Sequence, residues 1–231
     1  MQKIFNLEGL FQSYYKVPGI ASNMYTIDLG TRALVISPSN RLDEKQLEYF
    51  QSKEEILLLA PSGFHFMGIP TFHNAFRNCK VYASSKTARR IQGKINVSWE
   101  PLSSLTQKLD GFNIEIFQPE HTKIGETWVY YTEGDRKVCI VCDAIFNWKK
   151  LPGNPLMKLI SLIMDNAPGL KISRLYKIFG ISRQDSYRSS VVKSLRDFQP
   201  NAFCMSHGDP FQLDETRDLN SMISLFESRH R

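Results

Sequence analysis

The sequence predicts an α/β fold in which sheet layers are covered by helices. Three observations carry the expectation. Strand pairs with alternating apolar and polar residues occupy the first and middle parts of the chain. A fully apolar stretch, Glu55–Leu59, precedes a helical pattern and a further strand, the order of a parallel crossover. From residue 151 onward the pattern turns helical, broken by one short strand.

Each element has a local reason. NMYTIDLGTRALVIS alternates around Gly30-Thr31 and reads as a hairpin. Ser37-Pro38-Ser39-Asn40 ends it, and a short helix follows, with Asn40 as its expected cap and Leu42, Leu47 and Phe50 as its inner face. Glu55–Leu59 is apolar enough to be buried on both faces. A turn, PSGFHF, leads to a helix around Thr71–Arg77, and KVYAS forms the next strand from Lys80. FNIEIF, Phe112–Phe117, alternates again. WVYYTEGDRKVCIVCD reads as a hairpin turning at Glu133-Gly134-Asp135. In the helical stretch that begins at Leu151, Pro155, Pro168 and Gly169 mark divisions. Ser182 and Asp185 are the expected cap of a helix with Tyr187, Val191, Leu195 and Phe198 on one face. Phe203-Cys204-Met205 is the last strand. A helix from about Asp214 turns Leu219, Met222, Ile223 and Phe226 inward. No internal repeat or low-complexity tract interrupts this order.

Composition narrows the function classes. Apolar residues make up 42% and charged residues 23% of the 231-residue chain, which excludes a disordered protein. The start, MQKIFNLEGLF, lacks the pattern of a signal peptide. The apolar run PLMKLISLIM is broken by Lys158 and too short to span a bilayer. Cys139 and Cys142 fall on opposite faces of one strand, so a reduced, cytoplasmic compartment is expected. Between Lys149 and Arg196, ten basic residues stand against Asp165 and Asp185, a net charge of +8. That segment suits a solvated helical face. Its charges are not interleaved with aromatics as a nucleic-acid platform requires, so nucleic acid is not the expected partner. Leu159, Ile160, Leu162 and Ile163 read as a face buried on the sheet or at a dimer contact. His73 shares an outward face with Arg77, and His230 lies in the tail.

The chemistry-bearing residues follow strands. His65 lies in the opening turn. His121, Asp143 and His207 come directly after strand patterns. Loops at one edge of a layered α/β fold converge, and three imidazoles with one carboxylate suit a single zinc, iron or manganese ion. Glu120 and Glu126 flank His121, as orienters or as solvated glutamates.

Read in order, these stretches resemble the metallo-β-lactamase superfamily. TIDLGTRALVISPSN stands where that family has its first strand pair and a DxG-like segment. LLLAPSGFHFMGIPTF stands at the T-H-x-H-x-D-H turn, Pro119-Glu120-His121-Thr122 at P-G-H-T, Cys142-Asp143 at the metal-bridging aspartate, and His207-Gly208 at the last histidine. With Ala60 at the motif's threonine, Pro61, Gly63 and Phe66 replace three histidines and His65 stands at the aspartate. The turn looks rebuilt. LLLAPSGFHF, CKVYAS and the late His207-Gly208-Asp209 are similar to a divergent branch of uncharacterised function, over roughly residues 20 to 212.

The resemblance implies one metallo-β-lactamase-like domain over 1–231, an αββα sandwich with a helical insertion at about 151–198 before the last strand. It also implies a metal-dependent hydrolase with a mononuclear site of His65, His121, Asp143 and His207, acting on a small-molecule substrate. The alternative is a degenerate, non-catalytic pocket that holds no metal and binds a ligand or partner.

Overall fold

The computed structural model describes every residue except 18–19, 150–154, 156–157, 160–168, 173, 175 and 228–231. Much of the stretch expected as a helical insertion, with Ile160, Leu162, Ile163, Asp165 and Pro168, lies outside the described residues, as does His230.

The first sheet runs in chain order: β1 (Gln2–Lys3), β2 (Leu10–Val17), β3 (Ile20–Leu29), β4 (Arg32–Ile36), β5 (Glu55–Ala60), β6 (Cys79–Ala83) and β7 (Glu100–Pro101). Pairing is antiparallel from β1 to β4 and parallel from β4 to β7. Helices α1 (Glu44–Gln51), α2 (Ile69–Ala75), α3 (Ser85–Ile91) and α4 (Leu102–Lys108) alternate with the parallel strands. The second sheet contains β8 (Ile114–Phe117), β9 (Trp128–Glu133), β10 (Arg136–Trp148), β11 (Gly169–Ile172), β12 (Ala202–Gly208) and β13 (Phe211–Gln212). Its order is β13-β12-β10-β9-β8, with β11 pairing the end of β10. A π-helical turn, Tyr176–Gly180, and helices α5 (Gln184–Phe198) and α6 (Leu219–Glu227) complete it. The stretch read as helical from Leu151 therefore also carries a strand, β11.

Side-chain alternation builds three apolar layers. Leu57 and Leu59 join Ile27, Leu34, Val129, Val138 and Ile140 between the sheets. Ile56, Leu58 and Ala60 face the other way, onto Phe50, Ile69, Phe72 and Ile91 of the helices. Cys139 and Val141 pack under Val191, Leu195, Met222 and Phe226. A period of two thus sends one strand into two cores, each fully buried Leu contributing about 1.5–3 kcal/mol. The result is an αββα sandwich.

Helix starts differ from expectation for identifiable reasons. Asp43, and not Asn40, caps α1: its Oδ1 accepts from Gln46 N at 2.8 Å while Gln46 Oε1 accepts from Asp43 N at 2.9 Å. Arg183 is the N-cap of α5, and Ser182 instead donates its hydroxyl to the His121 carbonyl at 2.9 Å. α6 begins at Leu219, because Asp214 closes its own turn with Thr216 and Arg217. α2 spans Ile69–Ala75, starting earlier than Thr71, with Pro in its first turn.

Candidate metal centre

The site forms where the end of β5 and the start of β3 meet β10 and β12. β5 stops at Ala60, and the turn closes through His65 N donating to Ser62 O at 3.2 Å. Asp143 lies inside β10, not after it, at a bulge. Val141 pairs with Met205 and Phe146 with His207, so residues 142–145 leave the ladder. Glu126 takes up the freed backbone. Its Oε1 accepts from Cys142 N at 3.3 Å, Ala144 N at 3.2 Å and the Trp128 indole at 2.8 Å. Glu126 is fully buried, which corrects the reading of a solvated glutamate. Burial, then repulsion from Asp143, pushes its carboxyl up to about 8.

His207 also lies within its strand, β12, stacked on Phe146 with ring centroids 5.1 Å apart. Gly208 follows at φ 103°, and a Cβ there would stand 2.1 Å from the Asn147 carbonyl oxygen. β3 is stitched to β12 below it: Asn23 donates to Met205 O at 3.0 Å and Gly208 O at 2.7 Å, and Tyr25 donates to Met205 O at 2.8 Å.

Three donor atoms converge. His65 Nε2 lies 3.0 Å from Asp143 Oδ1 and 3.2 Å from His207 Nε2, and His207 Nε2 lies 3.4 Å from Asp143 Oδ1. Every remaining polar atom of the trio is held from behind. His207 Nδ1 is 2.9 Å from Ala21 O and donates to it, which leaves Nε2 unprotonated in the neutral ring. Ser62 Oγ donates to Asp143 Oδ2 at 2.7 Å. Ser37 Oγ lies 2.6 Å from His65 Nδ1. Burial works against charge on both partners. The neighbouring imidazoles nonetheless hold Asp143 well below the usual carboxylate range, and Asp143 raises His65 above its ordinary value.

The spacing fits an ion. Bonds of about 2.0–2.1 Å to a tetrahedral zinc set its ligand atoms about 3.3 Å apart. Two imidazoles and one carboxylate on one side of an open cavity are the donor set of catalytic zinc and of non-haem iron. The cavity, about 230 Å³, is lined besides the trio by Tyr15, Ser22, Phe64 and Met67, the last two half-exposed.

His121 is not part of the cluster. Its backbone turns left-handed at φ 56°, and its carbonyl accepts from both Ser182 N and Ser182 Oγ. The loop is thereby tied to the segment before α5. His73 is exposed, and all four cysteines are free. Among the described residues, Lys149, Arg188, Lys193 and Arg196 of the basic segment pair with Asp209, Asp185, Asp197 and Glu227. No helix among them is long and apolar enough to cross a membrane. The supporting roles of Tyr15, Ser37 and Ser62 left no signal in the sequence, although Ser37 and Ser62 fall within the stretches that carry the resemblance.

Solved metallo-β-lactamases share this architecture. The DIM-1 metallo-β-lactamase superposes with a TM-score of 0.64 at 14% identity, covering 96% of this chain and 94% of that one. A metallo-β-lactamase from Pontibacter korlensis gives 0.60 at 12%, covering 99% and 98%. Another from Hirschia baltica gives 0.55 at 14%, covering 94% and 92%. No protein-family model and no curated protein sequence matches the chain. The chain has the metallo-β-lactamase fold, as its motif order implied, with His65, Asp143 and His207 gathered where a metal ion can be held.

Proposed function

We propose that the protein is a metal-dependent hydrolase with a mononuclear site made by His65, Asp143 and His207. The observation that carries the reading is the convergence of three donor atoms at 3.0–3.4 Å, each ligand braced through its other polar atom. Such bracing fixes ligand orientation before an ion arrives. An ion held there supplies a Lewis acid that polarises a substrate carbonyl or phosphoryl oxygen and acidifies water. The chain's own part is to present the open side of the trio to the cavity and to limit water there with Phe64 and Met67. Zinc, iron and manganese all accept two imidazoles and a carboxylate.

A second reading is favoured by one observation: the groups of the trio hydrogen-bond one another, with His65 and Asp143 paired at 3.0 Å. A pocket of that kind binds a ligand or partner and does no chemistry. Elemental analysis of untagged protein separates the two. Near-stoichiometric metal, lost in both Asp143→Ala and His207→Ala, supports the hydrolase and justifies a screen of ester, thioester and phosphodiester substrates. Absence of metal after reconstitution with zinc, iron and manganese rejects it.

A further inference from the structure

Two hydroxyl groups that no motif marks as ligands, those of Ser37 and Tyr15, are connected to the trio. Ser37, the residue after β4, is fully buried and holds φ at 57°, a conformation serine rarely adopts. Its N–H donates to Leu59 O at 3.2 Å, which ties the strained residue to the strand that carries the site. Its Oγ sits between His65 Nδ1, at 2.6 Å, and the Tyr15 hydroxyl, at 3.3 Å. Tyr15 in turn lines the cavity beside Ser22, whose hydroxyl donates to Ser206 O at 3.1 Å. Backbone strain at a buried polar residue points to a role the surrounding structure maintains.

We propose that Ser37 is the positioning residue of His65, and that Tyr15 donates a hydrogen bond to an oxygen ligand held on the open side of the metal. The inference rests on the mononuclear reading above. Proton direction carries it. A histidine that offers Nε2 to an ion keeps its proton on Nδ1, which then donates to Ser37 Oγ. The Ser37 hydroxyl is turned away from the ring and donates to the Tyr15 oxygen. Tyr15, now an acceptor from Ser37, has its own O–H left to donate, towards Ser22 or into the cavity.

The test compares wild type with Ser37→Gly, Ser37→Ala and Tyr15→Phe. Zinc affinity is measured by chelator competition, and acetohydroxamate affinity on the zinc-loaded proteins. Both Ser37 variants lose about tenfold or more in zinc affinity, although glycine, at ease with positive φ, gives the more stable fold. Tyr15→Phe keeps zinc affinity within about twofold and weakens acetohydroxamate about tenfold, the equivalent of one hydrogen bond. In the metal-free proteins, the His65 Nδ1 resonance shifts in Ser37→Gly. Wild-type zinc affinity in Ser37→Gly, or unchanged His65 nitrogen signals, overturns the role of Ser37. Unchanged acetohydroxamate binding in Tyr15→Phe overturns the role of Tyr15. A wild type that takes up no zinc rejects the hydrolase reading and the Tyr15 role with it, while the metal-free resonances still decide whether Ser37 positions His65.

Discussion

Replacing Glu126 with glutamine should make the metal-free protein more stable at neutral pH. The carboxyl has an ordinary value of 4.5 and stands at about 8 in the fold, raised by burial and then by Asp143. An acid raised by folding costs nothing below its unfolded value, where both states are protonated. Above pH 4.5 the unfolded chain ionises and the folded one does not, so stability falls by about 1.4 kcal/mol per pH unit. The loss stops near pH 8, where the folded carboxyl ionises too. At pH 7 the cost is about 3 kcal/mol. The Glu126→Gln variant removes it and keeps an amide oxygen for the N–H groups of Cys142, Ala144 and Trp128. Urea denaturation of chelator-treated protein across roughly pH 4 to 9 measures the difference. The variant should match wild type near pH 4.5 and gain steadily to about pH 8. A pH-independent difference, or a variant less stable at neutral pH, refutes the assignment of Glu126 as a buried, protonated brace.

Three further outcomes follow from the same geometry. His121→Ala should keep metal within about twofold in a chelator competition, because His121 stands outside the cluster; loss of metal would return it to the site. Asn23→Ala orphans the Gly208 carbonyl and should cost about 1–3 kcal/mol in urea denaturation, with weaker metal binding through a looser His207. Ser62→Ala frees Asp143 Oδ2 and should lower metal affinity about tenfold with one ion still bound per chain; a second ion in elemental analysis would contradict the donor count.

What could be read from the sequence divides along a physical line. β5 and the β9–β10 hairpin were legible because alternation in one stretch already decides which core each side chain enters. His65, Asp143 and His207 were legible as ligand types near strand ends, though two of them lie inside strands whose length depends on partners elsewhere. The supports were not legible. The bonds from Asn23 to β12 join residues 182 and 185 positions apart and leave no local pattern. Glu126 follows Lys123 and Glu120 and has the charge pattern of a surface turn. Its burial comes from the bulge at residues 142–145, which only the pairing of β10 with β12 creates. His121 stands outside the cluster for a different reason. Its motif neighbourhood matches but for Glu120, and a left-handed backbone and two bonds from Ser182 commit the loop to the segment before α5.

The rebuilt turn also bears on how many ions the pocket suits. Pro61, Gly63 and Phe66 offer no donor side chain where the superfamily resemblance places histidines. Among the described residues, His65, Asp143 and His207 form the one cluster of three potential ligands. A carboxylate that bridges two ions must present both oxygens, yet Asp143 Oδ2 is engaged by Ser62, a residue of that same turn. His65 stands at the aspartate position of the motif and, like His207, meets Asp143 at Oδ1. On the mononuclear reading proposed above, the substitutions act together: the turn supplies both a donor, His65, and the hydroxyl that leaves Asp143 one free oxygen, Oδ1. Three donors with an open cavity in front of them suit one ion, and to that set the turn contributes a histidine, His65, and the serine three residues before it that braces Asp143.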